Sequence, residues 1–201
     1  MTDTKYIFGV DLDNSTADYT RGLAEFMAEN GVPEAADFPL PLSYSFDSDP
    51  GWDFSYFGGF RNAHRAAVES GVFLRLKPLD NAVESMWALA DAGVHIKVVT
   101  HRFMPGLDQA QVVNDTVAWL VKHEFPYDSL CFTGEKEAIR AHSFVDDAPN
   151  NIASIRNAGS HVFVFDQLYN TSLEGARIHG WDKDGVAKVM DHHEETLLAR
   201  Q

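Results

Sequence analysis

At 201 residues and 45% hydrophobic side chains, the chain is long enough to bury one α/β domain carrying an insertion. Its formal net charge of −14 argues against binding a nucleic-acid polymer, which needs Lys and Arg against phosphates, but leaves room for a small anion wherever cations gather locally. The single cysteine, Cys131, excludes an intramolecular disulfide and reads as a buried thiol, and with no signal segment or membrane-length apolar run in view a cytoplasmic location off the membrane is expected.

Tyr6–Val10 is an apolar run with strand character, and Asp11 and Asp13 follow it. Side chains two apart on extended backbone point the same way, so both carboxylates converge beyond the strand's C-terminal end, the edge where open α/β sheets bind ligands. Tyr19, Leu23, Phe26 and Met27 recur at helical spacing until Gly31 and Pro33 stop them. Residues 33–60 break the rhythm. Pro33, Pro39, Pro41 and Pro50 punctuate them, and seven aromatics, Tyr44, Phe46, Trp52, Phe54, Tyr56, Phe57 and Phe60, follow no period. Residues 16–76 are therefore expected to form a cap insertion over the sheet edge, with 1–15 and 77–201 as the core.

Leu79, Val83, Met86, Trp87 and Ala90 restore the helical period before Gly93, and His95–Thr100 is a strand by its β-branched content. Val113, Val117, Leu120 and Val121 mark the next helix, with a short strand near Leu130. The strand Ser143–Val145 runs into Asp146 and Asp147, Pro149 opens a helix ending before Gly159, His161–Phe165 is a strand, and a helix over 184–199 closes the chain. Alternation of this kind predicts a three-layer, Rossmann-like α/β fold with a mainly parallel sheet and a small cap after the first strand.

Polar residues collect at the strand ends. Asp11 and Asp13, Thr100, and Asp146 with Asp147 all fall at C-terminal ends or in the loops leaving them, with Lys136 in a nearby connection, so a parallel sheet brings them to one edge. Four crowded carboxylates repel one another and require a positive partner: Lys136 and a hard divalent cation with oxygen ligands. Mg²⁺, which keeps several waters and takes one or two carboxylates with a phosphate oxygen, fits this set.

The order Asp-x-Asp, strand-end Thr, Lys, Asp-Asp resembles the haloacid dehalogenase superfamily of phosphotransferases. More narrowly, the chain is similar to the cytosolic type C 5′(3′)-deoxyribonucleotidases in Asp11-Leu12-Asp13 with Ala17-Asp18-Tyr19, in Gly71 to Pro78, in Val98-Val99-Thr100, in Thr133-Gly134-Glu135-Lys136 and in Phe144-Val145-Asp146-Asp147. The resemblance implies a Mg²⁺-dependent phosphatase acting on nucleoside monophosphates through an aspartyl phosphate. Asp11 would be the nucleophile, and Asp13 the acid and base, helping to hold the metal through its carbonyl. Thr100 and Lys136 would bind the phosphoryl oxygens, and Asp146 and Asp147 would anchor the metal. Asn14-Ser15-Thr16 stands where the family usually has Gly and two apolar residues, and Gly134 where close relatives often have Arg.

Most of the cap aromatics read as the insertion's own core. Tyr19 and Phe73 match the family's base-facing positions and are expected to stack on the base, with Trp52 as a third candidate. His101, next to Thr100, either touches substrate or supports groups that do, and His192-His193, set among charges, reads as a solvated helix face. Two other readings stay open: a phosphatase of the same mechanism acting on a sugar phosphate or other metabolite, and a non-catalytic phosphate-binding switch. Receiver-type switches present their acidic pair before the phosphoacceptor, whereas here Asp146-Asp147 comes last. The expected partner is a small phosphorylated substrate, and a homodimer is left open.

Overall fold

The computed structural model describes residues 5–199. Six strands form one sheet in the order β3-β2-β1-β4-β5-β6: β1 Tyr6–Val10, β2 Val94–Thr100, β3 Ser129–Phe132, β4 Ser143–Asp146, β5 His161–Phe165 and β6 Arg177–Ile178. Every pairing is parallel, and the register Val10↔Val98 and Val10↔Val145 aligns the C-terminal ends of β1, β2 and β4. The chain steps from β1 to β2 and β3 on one side, then crosses back to β4 on the other. The β1/β4 boundary is therefore the topological switch point, where the crevice of such a sheet opens.

Alternating side chains give the sheet two apolar faces. Tyr6, Phe8, Val10, Ile96, Val98 and Phe163 join the core shared with α4 (Ala82–Asp91), α5 (Gln109–Lys122) and α7 (Lys183–Leu198). Val99, Phe144, Val162 and Val164 pack on the other face against Ile152 and Ile155 of α6 (Pro149–Asn157). Helix starts follow capping chemistry: Asp108 accepts the amides of Ala110 and Gln111, Asp182 those of Asp184 and Gly185, and Pro149 opens α6.

Between β1 and β2 lie α1 (Tyr19–Glu29), α2 (Phe60–Glu69), the short α3 (Val72–Arg75) and three 3₁₀ turns at Pro33–Asp37, Phe46–Ser48 and Ser55–Phe57. The ends of this excursion run side by side. The Asp18 amide donates to the Lys77 carbonyl and the Leu79 amide to that of Thr16, with a bridge between Ala17 and Pro78.

Three details depart from expectation. Cys131 is half-buried because β3 is an edge strand. The two-residue β6 has too few residues to show a period in sequence. His192-His193 is not a solvated face: α7 turns it toward the sheet, where His192 Nδ1 lies 2.6 Å from Tyr6 Oη, and buried His193 packs at 4.7 Å from the Tyr6 ring.

Candidate active site

Asp11 leaves β1 with its amide bonded to the Val145 carbonyl at 3.2 Å, which sets the end of β1 beside the end of β4. The chain then turns sharply: the Leu12 carbonyl accepts the amides of Ser15, Thr16 and Ala17. Asn14 takes a left-handed φ of 59°, which Asn tolerates, and its side-chain oxygen accepts the Thr20 amide at 2.9 Å, tying the turn to α1. The polar turn Asn14-Ser15-Thr16 thus closes without a glycine.

Lys136 Nζ lies 2.6 Å from both Asp11 Oδ1 and Asp146 Oδ2, and all three side chains are buried. Asp146 is further held by the Ala148 amide at 3.0 Å and Asn151 Nδ2 at 3.1 Å. Asp147 accepts from Ser15 Oγ at 3.3 Å and from the Tyr169 hydroxyl. One oxygen each from Asp11, Asp146 and Asp147 falls within a 4.8 Å cluster. Burial, opposed by Lys136 and reinforced by Asp146 and Asp13, pushes the Asp11 carboxyl up to about 7. Burial together with the charges of Asp11 and Asp146 also raises Asp147 well above the carboxylate range. Burial opposes the charge on Lys136, yet the two carboxylates hold its ammonium above its ordinary value. Three buried carboxyl groups share one ammonium, and an all-oxygen donor set of this size suits a hard divalent cation, whose charge would favour their ionised forms.

A cavity of about 460 Å³ opens over this cluster, within the usual range for small-molecule sites. Asp11, Asp13, Thr100, His101, Lys136 and Asp147 line it, whereas Asp146 sits behind, anchoring Lys136. Thr100 is 1% exposed, and its Oγ1 has no hydrogen-bond partner among the described residues, a group that an incoming oxygen would satisfy. The His101 imidazole packs against Gly134, where an added Cβ would come within 3.0 Å of its Nε2.

From the segment between β1 and α4, Tyr19 and Phe73 both line the cavity. Tyr19 Oη lies 2.6 Å from His64 Nδ1, and Phe73 is 1% exposed. Trp52 is not brought to the cavity. Its indole donates to the Pro39 carbonyl at 3.0 Å and packs among Phe38, Phe46 and Phe54. The aromatic wall is instead supplied by Tyr44 and by Phe46 and Phe60, whose rings stack at 5.2 Å and 10°.

The sequence reading missed Arg102 and His64. Arg102 Nε and Nη2 grip the two oxygens of Asp13 at 2.9 and 2.6 Å. Its place two residues past the end of β2 was a weak signal, because its partners Asp13, Thr116 and Phe73 are distant in sequence. His64 gave none, because its partners Tyr19 and Phe73 come from α1 and α3.

The site is therefore an acidic crevice at the switch point of a parallel sheet. In keeping with that, the fold aligns with a haloacid dehalogenase-like hydrolase from Streptococcus pneumoniae (TM-score 0.58, 14% identity, 94% of this chain and 98% of that one) and with a defluorinating L-2-haloacid dehalogenase (TM-score 0.58, 11% identity, 92% and 95%). Residues 5–190 match the family described as 5′ nucleotidase, deoxy (pyrimidine), cytosolic type C, and the chain belongs to that family of hydrolases. A protein of Chlorobaculum tepidum provisionally named a 5′(3′)-deoxyribonucleotidase is 28% identical over 182 residues, 90% of this chain and 89% of that one.

Proposed function

We propose that the protein is a Mg²⁺-dependent phosphomonoesterase that dephosphorylates nucleoside monophosphates, deoxyribonucleotides in particular, through an aspartyl phosphate. The observation that carries this reading is the Asp11 carboxylate held by buried Lys136 at the floor of an aromatic-walled cavity. Asp11 attacks phosphorus, the bond to the ester oxygen breaks, and Asp13 gives that oxygen its proton. Asp13 then takes a proton from water, whose oxygen attacks the phosphorus of the aspartyl phosphate and releases inorganic phosphate while Asp11 recovers its carboxylate. Lys136 and Thr100 hold the phosphoryl oxygens, and Lys136 restrains the charge on Asp11. Asp11, Asp147 and Asp146, with the Asp13 carbonyl, would hold Mg²⁺. The ion supplies the neutralisation that lets an anionic carboxylate meet an anionic phosphate.

Residues 16–76 act as the cap in this reading, with Tyr19, Phe73, Phe46 and Phe60 offering flat faces to a base, His101 at the rim and Trp52 acting through cap packing. The family and the C. tepidum relative carry deoxyribonucleotide names, which supports the nucleotide class. A phosphate-release screen over ribo- and deoxyribonucleoside monophosphates and common sugar phosphates, with Mg²⁺ or a chelator, tests it. Metal-dependent preference for deoxyribonucleotides is expected, and preference for sugar phosphates would overturn the substrate assignment.

A further inference from the structure

We propose that Arg102 is a positioning residue that fixes the orientation of the Asp13 carboxylate. The inference rests on Asp13 transferring the proton in the reaction proposed above.

The Asp13 side chain is 25% exposed at the cavity, whereas the Arg102 side chain gripping it is fully buried. A carboxylate has about four lone-pair directions, and the two-pronged grip occupies one on each oxygen, leaving the others for a leaving-group oxygen. The guanidinium is fixed from two further directions. Nη1 donates at 3.0 Å to Thr116 Oγ1 on α5, whose own proton goes to the Val112 carbonyl at 2.7 Å, so this hydroxyl can only accept from Arg102. The guanidinium carbon also stands 4.2 Å from the centroid of Phe73 on cap helix α3. Burying a guanidinium is costly unless its contacts are good, and the Thr116 and Phe73 contacts hold it where it can grip Asp13. A lysine has one ammonium and cannot span both oxygens in this way.

The test must separate positioning from mere packing. Proton donation matters most for poor leaving groups, so the readout is the slope of log(kcat/KM) against leaving-group pKa over substituted phenyl phosphates, none of which needs a base site. Asp13→Asn sets the slope expected when donation is lost. Arg102→Lys and the milder Thr116→Val, which frees Nη1, should steepen the slope toward that reference. Their losses should be roughly 10- to 100-fold on phenyl phosphate, the scale of a small misplacement, and slight on p-nitrophenyl phosphate. Arg102→Lys combined with Asp13→Asn should add nothing further. Equal losses on all esters, or an unchanged slope in folded variants, would overturn the inference, and if Arg102→Lys fails to fold Thr116→Val decides the matter. A parent protein inactive on every ester would instead overturn the phosphatase reading itself.

Discussion

Asp11 is the residue where charge, burial and proposed chemistry collide most sharply. Its pKa is pushed up to about 7 by burial despite Lys136, so the metal-free fold resists ionising the very group the reaction needs charged. Asp11→Asn should abolish phosphate release, because an amide is not a competent nucleophile, while the metal-free melting temperature stays level or rises as one member leaves a repulsive cluster. Substantial turnover by that variant with a native circular dichroism spectrum would take Asp11 out of its role. A second conflict lies outside the cavity. His161 stacks on His192 at 4.1 Å, its Nε2 lacks a partner among the described residues, and burial, with His192 and Arg156, pushes it down to about 4. Burial also lowers His192. A folded-state pKa below the unfolded value of 6.5 means that the unfolded chain takes up the proton first. The stabilising contribution is therefore complete above pH 6.5 and lost as pH falls toward 4. The raised Asp11 and Asp147 carboxyls act in the opposite direction over the same window, so the readout is the difference between parent and variant: His161→Phe should lose less stability than the parent as pH falls from 6.5 toward 4, and a difference in urea midpoints that does not change with pH would overturn this.

At the scale of elements, β1 and β4 must approach closely for Asp11 and Asp146 to share Lys136. At Gly9, the register partner of Phe144 in this pairing, a Cβ would sit 2.3 Å from the buried Phe144 ring. Gly9→Ala should cost about 1–3 kcal/mol in urea unfolding, the usual penalty for overpacking, and Phe144→Leu in the same chain should restore part of it. Lack of any rescue would place the strain elsewhere. The regular elements were legible in sequence: continuous apolar and β-branched runs marked β1, β2, β4 and β5, and helical spacing marked α1, α4 and α5. The elements between α1 and α4 were not all legible, since the three 3₁₀ turns and the four-residue α3 are too short to establish a period. The site divides in the same way. Asp11, Thr100 and Asp146 were legible as polar ends of apolar strands, and Lys136 joined them as the cation their charges required. Arg102 was hidden because its meaning depends on Thr116 and Phe73, which are distant in sequence. Trp52, an aromatic in an aromatic-rich stretch, gave no sign that it would point away from the cavity.

Over the whole molecule, the carboxylates are assembled from the ends of β1 and β4, so any ion they share joins segments more than a hundred residues apart and binds only the folded chain. Mass action then makes the ion a stabiliser. At a concentration about 100 times its dissociation constant it adds roughly 2.7 kcal/mol. A chain of this length gains about 2–4 °C per kcal/mol, so the melting temperature should rise by roughly 5–10 °C at saturating Mg²⁺ and fall back on adding a chelator. A nonspecific salt effect would also raise it, but would survive loss of the donors and be matched by NaCl at equal ionic strength. Asp146→Ala with Asp147→Ala should abolish the Mg²⁺ shift while leaving Asp11 paired with Lys136, even if the variant starts from a lower melting temperature. A parent protein indifferent to millimolar Mg²⁺, or a double variant that keeps the full shift, would show that the acidic crevice is not where the ion binds.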